Sequence, residues 1–145
     1  MDRSELLEFM RGHAWAVQAS VAPGRSVQAA LIGFAVTDDL HIVFQALAST
    51  RKLVNLRNNP RIALVIGGWS SGDERTLQYE GVADEPQGEE LDRLTAVYRQ
   101  RFSGGWSTTP WPGWVYVRVR PTWLRYSDYT ARPARIVEVT TPDLP

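Results

Sequence analysis

The chain has 145 residues, 43% of them hydrophobic and 22% charged, and its 16 basic and 16 acidic side chains cancel to a formal charge of zero. This length fits one globular domain, which we expect to span residues 1–145. The neutral balance argues against nucleic acid as the main partner, because a phosphate backbone is normally met by a basic excess. With no cysteine in the chain, disulfides, thiolate metal sites and cysteine nucleophiles are excluded.

Hydropathy and the first residues of the chain bear on its compartment. No apolar run approaches the roughly 20 residues that span a bilayer. The chain also begins with charged residues, where a signal peptide has an apolar segment. We therefore expect a cytoplasmic protein that has no membrane partner.

The first residues predict a helix followed by a strand. Asp2, with Glu5 three positions later, fits a capping box, and the helix that it begins is expected to end at Gly12. Residues 14–21 then alternate loosely, which is typical of a strand with one buried face. We assign four residues to that buried face: Trp15, Val17, Ala19 and Val21.

The next segment predicts a β-hairpin and a second helix. Residues 27–37 and 41–47 are largely apolar, and the two aspartates between them predict a tight turn. We therefore expect two strands that pair antiparallel. Ser49 and Thr50 give an N-cap signal for a short helix over residues 51–58.

The remaining residues predict four strands and one amphipathic helix. The helix, over residues 87–101, has apolar residues at helical spacing with charges between them. The strands are predicted over residues 61–66, 76–83, 114–125 and 136–139. Six or seven strands with only short helices do not suit a parallel sheet, which needs longer crossover helices. We therefore predict a mainly β domain with short helices, in the form of a closed or nearly closed antiparallel barrel.

Two features of the sequence could indicate catalysis or metal binding, but the residues around them do not fit either role. The segment from Gly68 to Gly72 matches the nucleophile-elbow pattern, in which Ser70 would be an acyl-transfer nucleophile. An elbow lies between a strand and a helix, whereas a strand follows here, so a Gly/Ser hairpin connection is the better interpretation. The histidines, His13 and His41, show no metal-binding spacing, and we expect no metal site.

The strongest chemical signal is the run Ser49-Thr50-Arg51-Lys52 at a predicted helix N-terminus directly after a strand. Free backbone N–H groups and the positive end of the helix dipole favour an anion there, and the two cations add charge-assisted contacts to phosphate oxygens. Lys52 is also the only lysine among the 16 basic residues. The run predicts a phosphate site; the alternative is an ordinary N-cap followed by two solvated cations.

This run is followed by Asn-Leu-Arg-Asn-Asn-Pro-Arg at residues 55–61 and then by a strand. The whole pattern resembles the pyridoxamine 5'-phosphate oxidase-like family of FMN-binding split barrels, and the resemblance covers roughly residues 5–128. It implies a six- to seven-stranded antiparallel split β-barrel with FMN as the cofactor. It also implies a homodimer with two flavin sites at the subunit interface.

The resemblance also assigns roles to residues. In that family the Arg and Lys of the run hold the FMN phosphate beside a small hydroxyl residue. The end of the preceding strand and a polar residue at the start of a later strand line the flavin ring. These positions correspond to Gln45, Ala46, Ser49, Thr50, Arg51, Lys52 and Thr76. The backbone of residues 28–30 is expected along the ring, and the loop with Trp106, Trp111 and Trp114 either covers the ring or packs over the barrel end.

The sequence departs from the true pyridoxamine 5'-phosphate oxidases near the end of the long strand. There Ser127 and Asp128 stand in place of a Trp and a Gln of the segment that holds the substrate. The resemblance therefore supports the fold and the cofactor more than the substrate. We expect a flavin-dependent oxidoreductase that acts on a small molecule, with no assigned catalytic residue. Arg125, Tyr126 and Tyr129 are candidates to face that molecule.

Other functions stay open. The chain is alternatively a flavin-binding protein without turnover, or a deazaflavin-dependent reductase built on the same barrel. Outside the resemblance, it is a small barrel that binds a phosphorylated ligand or nucleic acid through Arg51, Lys52 and Arg57. Some relatives of this barrel bind haem, which needs an axial ligand that neither His13 nor His41 clearly offers.

Overall fold

The computed structural model describes residues 1–103 and 112–140. Over these residues the chain forms three helices and seven strands. The helices are α1 (Arg3–Arg11), α2 (Arg51–Asn58) and α3 (Gly88–Arg101). The strands are β1 (Trp15–Val21), β2 (Val27–Val36), β3 (Ile42–Leu47), β4 (Arg61–Gly67), β5 (Arg75–Asp84), β6 (Trp114–Asp128) and β7 (Arg135–Thr140). Each helix and strand that the sequence predicts is present, and β6 continues three residues beyond its predicted end.

Helix α1 begins as the sequence predicts. The Asp2 carboxylate accepts a hydrogen bond from the backbone N–H of Glu5, and the Glu5 carboxylate accepts one from the backbone N–H of Asp2, each at 2.9 Å. This capping box satisfies two amides that would otherwise lack a partner. Gly12 caps the other end. The helix buries Leu6, Leu7, Phe9 and Met10 in the barrel core.

Six strands close into an antiparallel barrel. Neighbouring strands follow the order β3-β2-β1-β4-β5-β6, and β3 pairs with β6 to complete the ring. β7 pairs with the second half of β6 as an extra strand. β6 is long because it has three partners: residues 114–119 pair with β3, residues 118–128 with β5, and residues 123–128 with β7. The prediction of a mainly β antiparallel barrel is therefore confirmed.

A bulge bends β5 where it crosses β6. The register shifts between Glu80 and Gly81, and Gly81 pairs with Pro121, which has no N–H to give to the ladder. A side chain at position 81 would collide with the carbonyl oxygen of Arg120. Glycine therefore allows the two backbones to approach closely, and the bulge helps these long strands to curve around the barrel.

The α3 helix packs against β2, β3 and β6. Its residues Leu94 and Tyr98 are buried in a small second cluster with Ala35 of β2 and Val43 of β3. The helix has 14 residues and is the longest described helix. Within residues 1–103 and 112–140, no helix combines the length and the apolar composition that crossing a bilayer requires.

The buried face of β1 is the opposite of the predicted one. Ala16, Gln18 and Ser20 are the buried residues of this strand. The residues assigned to the buried face point outward instead, and they are half-buried or exposed: Trp15, Val17, Ala19 and Val21. The predicted two-residue alternation of β1 is correct, but the predicted buried face is wrong. The barrel buries the polar residues Gln18 and Ser20 and leaves the apolar side chains of this strand on its outer surface.

The outer surfaces of β2, β1 and β4 form what we call the apolar sheet face. Two cross-strand rows make up its centre: Leu31, Val17 and Val65, and beside them Ala29, Ala19 and Ala63. Leu31 is 61% exposed, and Val27 at the start of β2 is 74% exposed. Contiguous exposed apolar surface of this kind is a candidate for an interaction site.

The barrel core contains a tyrosine whose hydroxyl is fully enclosed. Tyr79 of β5 is 0% exposed. Its hydroxyl lies 3.0 Å from the carbonyl oxygen of Leu40 and 2.9 Å from that of Val119. The hydroxyl thus connects the turn before β3 with β6, next to the pairing that closes the barrel.

Replacing Tyr79 with Phe keeps the ring and removes this hydroxyl. We expect Tyr79→Phe to lower the free energy of unfolding by about 1–3 kcal/mol, the range for buried polar groups that lose their partner. Urea titration followed by tryptophan fluorescence measures the change. Tyr129→Phe, at a residue that is 46% exposed, is the control and should change it by less than about 0.5 kcal/mol. Equal losses in the two variants would contradict this role of Tyr79.

Candidate functional site

A cavity of about 520 Å³ opens where β2, β3, α2 and α3 meet. The described residues that line it are Trp15, Leu31, Ile32, Gly33, Gln45, Ala46, Leu47, Thr50, Lys52, Tyr98, Phe102 and Trp114. Lys52 is the only charged side chain in this set. A larger groove of about 700 Å³ lies between α1, β2 and α3, but none of the residues predicted for the flavin site lines it.

The connection from β3 to α2 places Thr50 and Lys52 at one end of the cavity. Thr50 has the extended backbone of an N-cap, with φ −71° and ψ 150°. Its hydroxyl donates to the carbonyl oxygen of Leu47 at 2.7 Å and makes no capping hydrogen bond. The predicted N-cap position is therefore correct, but its side chain leaves the first backbone N–H groups of α2 to another acceptor. Such groups are suited to an anion.

Lys52 is a half-buried cation at this helix end. Burial lowers the pKa of its ammonium group, because the charged form is less well solvated there than in water. Among the described residues, no carboxylate lies within ion-pair distance of Lys52 or Arg51. An anion bound beside Lys52 would compensate the solvation that burial removes.

Arg57, at the other end of the same helix, is already neutralised. Its guanidinium donates two hydrogen bonds to the carboxylate of Glu85, at 2.8 and 2.7 Å. This pairing holds the pKa of Glu85 below its usual range. The three cations of the phosphorylated-ligand alternative are therefore not equivalent, since Arg57 has a partner whereas Arg51 and Lys52 have none among the described residues.

Gln45 and Ala46 at the end of β3 also line the cavity. The Gln45 side chain is half-buried, and its Nε2 donates to the hydroxyl of Tyr116 at 2.9 Å. Tyr116 lies directly opposite on β6, so strand pairing and the side-chain hydrogen bond hold the same two residues together. Ala46 is buried at 2% exposure. Gln45 thus places an amide in a wall that is otherwise mostly apolar.

Tyr98 of α3 and Phe102, the residue directly after this helix, form an aromatic wall of the cavity. The rings of Tyr98 and Phe102 have centroids 4.7 Å apart, and Tyr98 meets Tyr116 edge-on at 5.6 Å. Burial raises the pKa of Tyr98 to about 12, so its hydroxyl stays protonated at neutral pH. A Cβ atom at Gly33 would lie 3.1 Å from the Phe102 ring. The missing side chain at position 33 therefore lets α3 lie close to β2.

The cavity brings together four of the seven residues predicted for the flavin site: Gln45, Ala46, Thr50 and Lys52. Ser49 and Arg51 are exposed beside this group. Thr76 lies elsewhere, because it pairs with Gly67 on β4 and with Ser127 on β6. Ser127 lies at the opposite end of β6 from Trp114, the residue of that strand that lines the cavity. The 13 residues from position 114 to position 127 correspond to about 40 Å of extended strand.

Sequence reasoning missed the part of β2 that lines the cavity. The lining residues are 31–33, three positions beyond the predicted segment 28–30. It also missed Tyr98, which helical spacing marks only as a member of an amphipathic helix, and Phe102, which directly follows the predicted helix over residues 87–101. Glycine at position 33, within an apolar strand, is the signal that could have indicated the close approach of another element to β2 at this point.

Tryptophans of the loop before β6 were predicted either to cover a ring or to pack over the barrel end. Trp114, the first residue of β6, lines the cavity. Trp106 and Trp111 lie outside the described residues. The structure therefore places one of the three tryptophans at the site.

The residues suggested for a substrate lie away from the cavity. Arg125 pairs with Glu138 at 3.1 Å. Tyr126 is buried, and its ring meets that of Phe9 edge-on with centroids 5.3 Å apart. Tyr129 is exposed beyond the end of β6. None of the three lines the cavity in this chain.

The remaining motif residues also lie outside the cavity. Ser70 accepts a backbone hydrogen bond from Asp73 at 3.0 Å in a turn that leads into β5, as a hairpin connection should. His13 contacts the carbonyl oxygen of Phe9 at 2.8 Å, and His41 precedes β3. Over the described ranges, no three histidine or carboxylate side chains come together as a metal site.

Comparison with known proteins bears on the fold and the family. The profile of the family described as pyridoxamine 5'-phosphate oxidase matches residues 3–128. No curated protein matches the chain. A solved heme binding protein from Mycobacterium smegmatis superposes with a TM-score of 0.80 and 16% identity, covering 97% of this chain and 58% of that chain.

Two further solved structures have similar lengths to this chain. A pyridoxamine 5'-phosphate oxidase-related, FMN binding protein from Nostoc punctiforme has a TM-score of 0.70 and 12% identity, over 97% of this chain and 88% of that chain. An F420 reductase has a TM-score of 0.66 and 19% identity, over 81% of this chain and 93% of that chain.

At these identities the solved structures establish the fold alone. The chain spans 58% of the length of the heme binding protein, so that protein has a further part to which nothing here corresponds. The family profile is the stronger finding, because it covers all but the ends of the chain, from α1 to the end of β6. The chain therefore belongs to the pyridoxamine 5'-phosphate oxidase-like family of split β-barrels.

Proposed function

We propose that the chain binds FMN in this cavity and acts as a flavin-dependent oxidoreductase on a small molecule. The observation that carries the proposal is Lys52, a half-buried cation with no carboxylate partner among the described residues, at one end of a mostly apolar and aromatic cavity. A ligand with a phosphate at one end and a flat ring system at the other matches this distribution.

The donor set at the polar end suits the phosphate of FMN. Lys52 lines the cavity, and the exposed Arg51 side chain next to it in sequence is the second cation that we assign to the same anion. The first backbone N–H groups of α2 are not capped by Thr50. Two cations and free amides at a helix N-terminus are the usual elements of a phosphate site.

The remaining walls suit the ring of the flavin. Residues 31–33 of β2 and Gln45 and Ala46 of β3 offer backbone and one amide, and Tyr98 and Phe102 offer aromatic faces. When bound, the flavin supplies the electron-transfer chemistry. The chain's own residues would anchor the phosphate, orient the ring and exclude water from it.

We also propose that the chain forms a homodimer through the apolar sheet face. Leu31 and Trp15 belong both to this surface and to the lining of the cavity. A second copy seated on the face would therefore also cover the open side of the cavity. Thr76 is too far from the cavity of its own subunit to contact the ring, so it would reach a flavin only from the partner.

Pyridoxamine 5'-phosphate itself is not the proposed substrate. Ser127 and Asp128 replace the Trp and Gln that the resemblance associates with holding it. In addition, Lys52 is the single cation among the described lining residues, and the FMN phosphate would occupy it. A second phosphate would find no charged partner in this part of the site.

The visible absorption spectrum of the purified protein, recorded before and after addition of FMN, tests the proposed cofactor. Chromatography of the released chromophore then identifies it. About one FMN per subunit would support the proposal. Release of a deazaflavin would identify that compound, and not FMN, as the cofactor. A folded, colourless protein that ignores FMN would contradict it. Turnover of NAD(P)H with an acceptor separates an oxidoreductase from a flavin-binding protein without turnover.

The phosphate anchor is tested by combining Arg51→Ala with Lys52→Ala. We expect the Kd for FMN to rise at least about hundredfold, because hydrogen bonds to charged groups contribute about 1.5–3 kcal/mol each. Flavin fluorescence titration measures the Kd. Circular dichroism and thermal melting should show an unchanged barrel, since both side chains lie outside the buried core.

The matched control combines Arg99→Ala with Arg101→Ala. These exposed residues at the end of α3 carry the same charge but lie outside the cavity lining. The control variant should bind FMN like the wild type. A variant changed at positions 51 and 52 that stays fully loaded with flavin would remove those residues from the site.

The proposed dimer is tested by Val65→Lys, which places a charge in the centre of the apolar sheet face. Burying an unpaired charge at an interface is strongly unfavourable. We therefore expect sedimentation velocity to show a dimer for the wild type and a monomer for Val65→Lys at micromolar concentration, with weaker flavin retention in the variant.

Ile136→Lys provides the matched control for this experiment. Ile136 on β7 is 45% exposed, close to the 40% of Val65, but it lies outside the apolar sheet face. This variant should remain a dimer. A monomeric wild type, or a Val65→Lys variant that dimerises as well as the wild type, would refute the assignment of this face.

A further inference from the structure

Asn55 is a buried polar residue on α2, one turn after Lys52. Its exposure is 3%. Its Nδ2 donates one hydrogen bond to Oγ of Ser20 on β1 and another to Oε1 of Gln28 on β2, both at 3.1 Å. Ser20 and Gln28 are themselves directly opposite each other in the β1–β2 pairing. The two hydrogen bonds therefore tie the helix to one point of the sheet.

The apolar contacts of α2 do not fix the position of the helix as these two hydrogen bonds do. Leu53 and Leu56 are buried, at 1% and 6% exposure, and hold the helix against the barrel. Apolar packing is non-directional, so by itself it tolerates small shifts of the helix along its axis or about it. Hydrogen bonds have defined lengths and angles, and those of Asn55 fix the helix in one position.

The position of α2 decides where Lys52 lies. Lys52 and Asn55 are three residues apart, which is about 4.5 Å along the helix axis and on neighbouring parts of its surface. The strands that accept from Asn55 are β1 and β2, which also contribute Trp15 and residues 31–33 to the cavity. Asn55 thus connects the cationic end of the cavity with the strands of its apolar wall.

We propose that Asn55 is a positioning residue, which holds Lys52 and the first amides of α2 at the distance from the β2 wall that the phosphate of FMN requires. This inference rests on the proposed function. It predicts a loss that is specific for the phosphate end of the ligand. Riboflavin has the same ring and side chain as FMN but no phosphate, so its affinity should depend little on Asn55.

Asn55→Leu removes both hydrogen bonds at similar side-chain volume. We expect the Kd for FMN to rise about tenfold and that for riboflavin to change less than about twofold, because only the charge-assisted phosphate contacts are misaligned. Fluorescence titration of both ligands measures the ratio. In a Lys52→Ala background the same substitution should have a much smaller effect on FMN, since residues that act together are not additive.

The matched control is Asn58→Leu on the same helix. Asn58 is exposed, and its side chain donates to the carbonyl oxygen of Val54 on the same helix, at 2.8 Å. Both affinities should stay at wild-type values. A merely structural role for Asn55 would weaken FMN and riboflavin by the same factor, and this result, like unchanged affinities, would overturn the proposal.

A second variant covers the case in which Asn55→Leu fails to fold. Gln28→Met removes one acceptor from the strand side and leaves Asn55 bonded to Ser20. It should give a smaller loss in the same direction, again for FMN and not for riboflavin. Equal changes for the two ligands would overturn the proposal here as well. A wild type that binds neither ligand would contradict the proposed function itself, and this inference with it.

Discussion

The pairing of β3 with the first half of β6 is the interaction on which the rest of the structure depends. It closes the barrel, and it sets Gln45 opposite Tyr116 and Leu47 opposite Trp114. α2 begins four residues after β3 ends, and α3 packs on both of the paired strands. The strand pairing that completes the core thus also brings a helix N-terminus, an amide and an aromatic wall around one space.

Most of the fold follows from local sequence, whereas the assembly of the site does not. Capping residues, turn residues and periodicity are properties of neighbouring positions, and they locate every described helix and strand. Which face of β1 is buried depends on the side chains of the strands and helix packed around it. The alternation around Trp15 predicts that every second residue is buried, but not which of the two sets. The lining by residues 31–33 likewise depends on how far β2 extends past β3. Lys52 was predictable because its signal, a rare residue at a helix start, is local.

In this protein the positions of the charged side chains are more informative about the candidate site than the net charge is. The formal charge is zero, and several arginines are compensated by nearby carboxylates. Arg118 is an example, since it donates to both Asp84 and Glu90 and holds the pKa of Asp84 below its usual range. Planar guanidinium groups suit such paired contacts, whereas an ammonium acts as a compact point charge. Lys52 differs from these neutralised arginines, because it lines a cavity and has no carboxylate partner among the described residues.

The lone lysine also gives the chain a single side-chain amine. Burial lowers the pKa of that amine, so at mildly alkaline pH more of it is unprotonated and nucleophilic than in an exposed lysine. The amine of Met1 lies 3.6 Å from the carboxylate of Glu5 at the start of α1, and neither residue lines the cavity. An amine-directed reagent therefore labels the cavity at one defined atom, and the mass of the labelled peptide reports directly whether the cavity is open or filled.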